Sequence, residues 1–291
     1  MDDLIHLLAT NSVFFLSSIF VLGLMVGSFL NVVIYRLPKM MEQEWQENCA
    51  ELSGASNTPS EAKITLSSPA SSCPHCSHKI CFYENIPVIS WLLLRGKCSA
   101  CGEKISARYP IIEFITAILS VIVAWHFGYG WQALGGLVLT WALIALSVID
   151  IDHQLLPDSI TLPFLWLGLA ASLLPVFVNS HDAIIGGIAG YMSLWLVFQT
   201  FKLLTGKEGM GFGDFKLLAL LGAWLGWAAL PGIIILSSLV GAVLGVILLT
   251  VQKKDHQTPI PFGPYLAAAG WISLLWGEEM RNAYLQWSGL G

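Results

Sequence analysis

Gly211-Phe-Gly-Asp-Phe-Lys-Leu-Leu-Ala-Leu-Leu-Gly-Ala-Trp-Leu-Gly-Trp-Ala-Ala-Leu230 begins with an acid among glycines and then stays apolar apart from one lysine. Its run 215–230 approaches the roughly 20 residues that carry a helix across a bilayer. Segments of similar character lie at 13–35, 111–127, 131–149, 160–178, 183–204, 232–251 and 261–276. The break between 215–230 and 232–251 is placed at Pro231-Gly232, because the two runs together are too long for one crossing. In a chain of 291 residues that is 55% hydrophobic and only 11% charged, with a mean hydropathy of +0.70, this pattern excludes an ordinary soluble domain. The expected fold is an all-α polytopic membrane protein with about eight transmembrane helices.

Charge placement orients those spans. With eight alternating crossings, Arg36, Lys39, Lys63, Lys79, Arg95, Lys97, Lys104, Arg108, Lys202, Lys207, Lys216, Lys253 and Lys254 share one side, and of the 14 Lys and Arg only Arg281 falls on the other. The positive-inside rule makes the basic side cytoplasmic and both termini external. Met1-Asp2-Asp3 gives the first span no basic front, so it is expected to be a retained helix. A net charge of −5 suggests no nucleic-acid partner. The expected organisation is a first helix at 1–35, a small cytoplasmic domain at 36–109 and a membrane core of seven helices at 110–291. Within the cytoplasmic domain, 40–72 reads as an irregular insert rich in Glu, Ser, Ala and Asn.

Cys73-Pro-His-Cys76 and Cys98-Ser-Ala-Cys101 are two C-x-x-C pairs at a spacing that suits one tetrahedral thiolate site. Zinc is the favoured ion, and its role is structural, since four thiolates leave no position open for water. Cys49 and Cys81 are unpaired by spacing, and His75 and His78 are the alternative ligands.

Asp150 closes the run 131–149, and Asp214 opens 215–230. Asp214 also fits an ordinary N-cap, and Asp152 and Asp158 share the connector with Asp150. On the eight-span topology Asp150 and Asp214 reach the same face, which is the arrangement of an aspartyl protease pair. One ionised carboxylate activates water while its protonated partner donates to the scissile carbonyl. Helix polarity favours Asp214 as the ionised member, since it stands at a helix start, and Asp150 as the protonated one. Gly211 and Gly213 would let a substrate backbone approach, and Lys216 fits either a modulator of the pair or an interfacial anchor.

Taken together, these residues resemble the type IV prepilin peptidases, membrane aspartyl proteases of the Gly-x-Gly-Asp type. The likeness includes Gly27-Ser-Phe-Leu-Asn31 with Tyr35-Arg36-Leu-Pro38, both cysteine pairs, Tyr83-Glu-Asn-Ile-Pro87, Arg108-Tyr-Pro-Ile-Ile-Glu113, Leu156-Pro-Asp158 and Pro261-Phe-Gly-Pro264. The family spacing, seven residues before the proline of the Pro-Asp pair, selects Asp150 over Asp152.

The resemblance implies an endopeptidase of the bacterial inner membrane. It would cut the basic leader from type IV prepilins and type II secretion pseudopilins at the cytoplasmic face. It also implies N-methylation of the new terminus with S-adenosylmethionine; the residues that would bind that cofactor are unknown. Glu113 is a candidate for docking the basic leader, or else a helix-capping acid.

Overall fold

The computed structural model describes residues 2–52, 63–207, 209–252 and 261–289. Among them the fold is all-helical, with only isolated bridges at Ser72–Lys79 and Lys97–Lys104. Each apolar segment of the sequence falls mainly in a helix, although 160–178 runs on past Ala171, where its helix ends. After α1 (Asp2–Thr10), these helices are α2 (Ser12–Leu52), α4 (Arg108–Phe127), α5 (Trp131–His153), α6 (Asp158–Ala171), α7 (Ser180–Thr205), α8 (Phe212–Leu225), α9 (Leu230–Gln252) and α10 (Gly263–Ser288). The short α3 (Ile89–Leu93) lies outside that set. Ser12–Leu52, Arg108–Phe127, Trp131–His153, Ser180–Thr205 and Trp227–Leu244 are long and apolar enough to cross a membrane, and Asp158–Ala171 is a shorter apolar helix. Large apolar side chains such as Trp125, Trp166, Leu203 and Ile235 point outward, as lipid contact requires.

Besides the end of α6 at Ala171, two boundaries differ from the sequence reading. The break after α8 falls at Gly226, whose φ of 78° ends the helix, and a 3₁₀ turn Trp227–Ala229 leads into α9. Pro231 is simply the second residue of α9, where its missing N–H breaks no helical bond. Second, α2 does not stop near Tyr35: it continues through Pro38 to Leu52. Part of the expected irregular insert 40–72 is therefore helix, because 10 of the 13 residues in 40–52 are Met, Glu, Gln, Ala or Leu and none is glycine or proline. The rest of that insert from 53 to 62, together with Lys253, Lys254 and the last two residues, lies outside the described residues.

The chain forms two compact units, Met1–Tyr129 and Gly130–Gly291. In the first, α2 and α4 pack backbone to backbone. A Cβ on Gly23 would stand 2.6 Å from the Ala117 Cα, and one on Gly27 would stand 2.6 Å from the Glu113 Cα. Small residues permit this closeness, which is how helices associate where lipid removes the hydrophobic drive. Asn31 Nδ2 donates to the Tyr109 carbonyl at 3.1 Å, and Arg36 reaches the carbonyls of Thr65 and Pro69.

In the second unit α8 is the central helix, with Phe215, Leu217, Leu218, Leu220 and Leu221 fully buried. An apolar helix buried on every side needs neighbours all round, and α6, α7, α9 and α10 supply them. The α7–α8 contact again rests on glycine: Gly186 faces the Gly222 carbonyl, and a Cβ on Gly190 would lie 2.5 Å from the Leu218 oxygen. Trp224 Nε1 donates to the Phe164 carbonyl at 2.8 Å, tying α8 to α6.

Candidate active site

Asp150 lies in the last turn of α5 rather than in a connector, and the residue is 5% exposed. The helix ends at Gln154, in the left-handed region at φ 54°, whose N–H donates to the Asp150 carbonyl at 2.9 Å. Asp152, two residues on, is exposed, so burial separates the two acids as the family spacing does. Leu155 to Pro157 then turn the chain, and Pro157 precedes α6.

Asp214 is the third residue of α8, not its cap. Gly211 holds the capping position in extended conformation (φ −79°, ψ 147°), and the Asp214 N–H donates to its carbonyl at 3.3 Å. The Asp214 side chain is 8% exposed. Gly213 is required by space: a Cβ there would lie 2.8 Å from the Leu156 Cβ.

The third contributor is α10. Gly263 begins it, and its N–H donates to Asp150 Oδ2 at 3.0 Å in a buried setting. A Cβ at Gly263 would meet that same oxygen at 2.7 Å and Leu156 Cδ1 at 3.2 Å. Leu156 is thus the packing piece between the two glycines that flank the acids. Sequence reasoning missed Gly263, although the Pro261-Phe-Gly-Pro264 tetrad at a helix start was its visible sign. Lys216 does not face the pair: its Nζ holds both oxygens of Asp158, at 2.6 and 2.7 Å. This joins the fifth residue of α8 to the first residue of α6.

The four expected cysteines come together in the first unit. Their sulfurs all lie within 4.8 Å of one another, with Cys73–Cys101 at 3.8 Å and Cys76–Cys98 at 3.9 Å. A tetrahedron of metal–sulfur bonds of about 2.3 Å has edges of about 3.8 Å, so the cluster can hold a metal ion. Two equivalent knuckles build it. In each, the residue four past the first cysteine has positive φ (Ser77 at 57°, Gly102 at 72°) and donates its N–H back to that cysteine's carbonyl. The N–H groups of Cys76 and then His75 pull the Cys73 thiol down to about 7. At Cys101 the Glu103 N–H favours the thiolate, yet desolvation and the neighbouring sulfurs push it up to about 12. Four such groups cannot all ionise without a cation to share.

His75 is exposed outside the cluster, and His78 Nε2 faces Glu84 Oε2 at 3.3 Å. Cys49 and Cys81 also stand apart from it. Glu113 is buried and accepts the Val88 N–H at 2.7 Å. Its carboxylate anchors the segment after the first knuckle to α4, which corrects both readings of it as a docking or capping acid.

The profile of the bacterial peptidase A24 N-terminal domain matches residues 21–127, and that of the type IV leader peptidase family matches residues 137–246. The chain belongs to the type IV leader peptidase family. Curated relatives bear the name prepilin leader peptidase/N-methyltransferase. Those of Stutzerimonas stutzeri and Pseudomonas aeruginosa are each 56% identical over 98% of this chain and 99% of theirs. That of Aeromonas hydrophila is 55% identical over 93% of this chain and 94% of its own. No solved structure gives a significant match. Like its family, this leader peptidase is a multi-pass membrane protein.

Proposed function

We propose that this leader peptidase is a membrane aspartyl endopeptidase that removes the basic leader of type IV prepilins and type II secretion pseudopilins. The reading rests on one observation: Asp150 and Asp214, buried at two helix ends in one unit, converge on Leu156, which packs against Gly213 beside one acid and against Gly263, the donor to the other. Asp150 is the ionised base. The Gly263 N–H and the start of α10 both favour negative charge on it, and a hydrogen bond made to the charged form stabilises that form. This reverses the assignment from α5 and α8 polarity alone, which left out α10. Asp150 removes a proton from water; the water oxygen attacks the scissile carbonyl; Asp214 donates its proton to the carbonyl oxygen, giving a tetrahedral diol. The diol then collapses: the C–N bond breaks, the proton taken by Asp150 passes to the leaving amine, and one hydroxyl proton of the diol returns to Asp214 as the new carboxyl group forms.

The Asp150→Asn and Asp214→Asn variants, purified in detergent, should each lose cleavage of a prepilin by at least about 100-fold. Cleavage at the wild-type rate by either variant would refute the pair.

The names of the relatives support a second activity, N-methylation of the exposed N-terminus with S-adenosylmethionine as donor. The charge pattern supports a cytoplasmic 36–109 domain, periplasmic termini and an inner-membrane peptidase core at 110–291. A structural zinc ion held by Cys73, Cys76, Cys98 and Cys101 fits the donor set, and it would fix the two knuckles to each other.

A further inference from the structure

The segment between the cysteine knuckles carries an apolar surface that its own fold does not use. The 3₁₀ turn Phe82–Asn85 and α3 form a compact piece with a defined inner side. Ser90 is buried there: its Oγ donates to the Tyr83 carbonyl at 2.6 Å and accepts the Ile86 N–H at 3.1 Å. Trp91 Nε1 donates to the Ile105 carbonyl at 3.1 Å, and its ring lies against Gly96. Successive helical residues turn by about 100°, so with Ser90 and Trp91 inward, other positions must face out. Those positions are Ile89, Leu92 and Leu93, and Phe82 and Ile86 join them; Phe82 is 88% and Leu93 78% exposed. An apolar patch held outward in this way marks an interaction surface.

Its position identifies the partner. Val88, in the middle of the piece, donates its N–H to Glu113 Oε2 at 2.7 Å. Glu113 sits in the second turn of α4, about 7 Å along the axis from Arg108 at the start of that membrane-length helix. The piece is therefore held at the level where α4 enters the bilayer. At that level Ile111 and Phe114 on α4 are exposed too, as lipid-facing side chains are. Directly after the patch come Arg95 and Lys97, both exposed. Apolar side chains beside basic ones, at a membrane boundary, suit a lipid surface with anionic headgroups.

We propose that Phe82, Ile86, Ile89, Leu92 and Leu93 insert into the interfacial layer of the bilayer, with Arg95 and Lys97 on anionic headgroups, so that the metal-binding knuckles are seated on the membrane. The inference is independent of the peptidase reading, since it concerns only how the first unit meets lipid.

The test uses the full chain in vesicles of phosphatidylethanolamine and phosphatidylglycerol, spin-labelled through p-acetylphenylalanine so that the cysteines stay intact. Labels replace Leu92 or Leu93, whose exposure means little packing is lost, and Glu47, exposed on the polar end of α2, serves as the aqueous reference. Relative to Glu47, both labels should favour collision with oxygen over water-soluble chromium oxalate by about threefold or more. Ratios equal to that of Glu47 would place the face in water and overturn the proposal. Low accessibility to both reagents would mean that protein covers the face, which also overturns the proposal. Replacing phosphatidylglycerol by phosphatidylcholine should weaken the oxygen preference; an unchanged ratio would refute the role of anionic headgroups.

Discussion

Gly263 supplies the directed hydrogen bond to Asp150, and it does so through the backbone, so no side chain announces it. Gly263→Ala would place a methyl group 2.7 Å from the carboxylate oxygen it now serves. The expected outcome is a fall in kcat for prepilin cleavage of at least about tenfold with KM little changed, because the base is displaced while the substrate surface is kept. Gly130→Ala, with nothing within 4 Å of its Cβ, is the matched control. The Lys216–Asp158 pair predicts a milder effect. Asp158 is about half exposed, so the ion pair contributes under about 1 kcal/mol to stability. Lys216→Met should still slow cleavage, by less than about 100-fold, because it frees the turn that carries Asp214. Adding Asp158→Asn to that variant should change the rate no further, as a double-mutant cycle would reveal. The two acids were readable because carboxylates at the ends of apolar runs are conspicuous. Gly263 was not, since its role depends on a contact across 113 residues of sequence.

Among the helices, the close pairs depend on absent side chains. A methyl on Gly222 would run into the Gly186 backbone, which has no flexible end to move aside. Gly222→Ala should destabilise the α7–α8 pair by about 1–3 kcal/mol, seen as a lower Tm in detergent. Gly187→Ala, whose nearest neighbour would be 3.8 Å away, should be close to neutral. Hydropathy located every apolar helix but ran 160–178 past the end of α6 and misplaced one break. It treated Pro231 as an interruption, although proline is at home in a first helical turn, and it passed over Gly226, whose positive φ is a backbone property. Composition likewise marked 40–52 as irregular because the stretch is polar, when its residue types favour an exposed helix.

For the molecule as a whole, the cysteine cluster links metal content to pH. A metal binds thiolates, so Cys101, held at about 12 without one, must release a proton on binding at any ordinary pH. Cys73, at about 7, adds a further proton only as the pH drops to 7 and below. Zinc affinity should therefore fall with acidification by at least about tenfold per pH unit at ordinary pH and more steeply below 7, as chelator competition would measure. Cys98→Ser should release the metal; full zinc content in that variant would refute the four-thiolate site.

The bond from Gly263 to Asp150 also bears on the order of synthesis. The chain emerges N-terminus first, so Asp150 and then Asp214 enter the membrane before the donor in α10 exists. On the proposed mechanism, a nascent chain carries both acids yet lacks the group that sets their charges. Its proteolytic competence waits for the last helix to dock, which protects the assembling membrane from an enzyme that is only partly built.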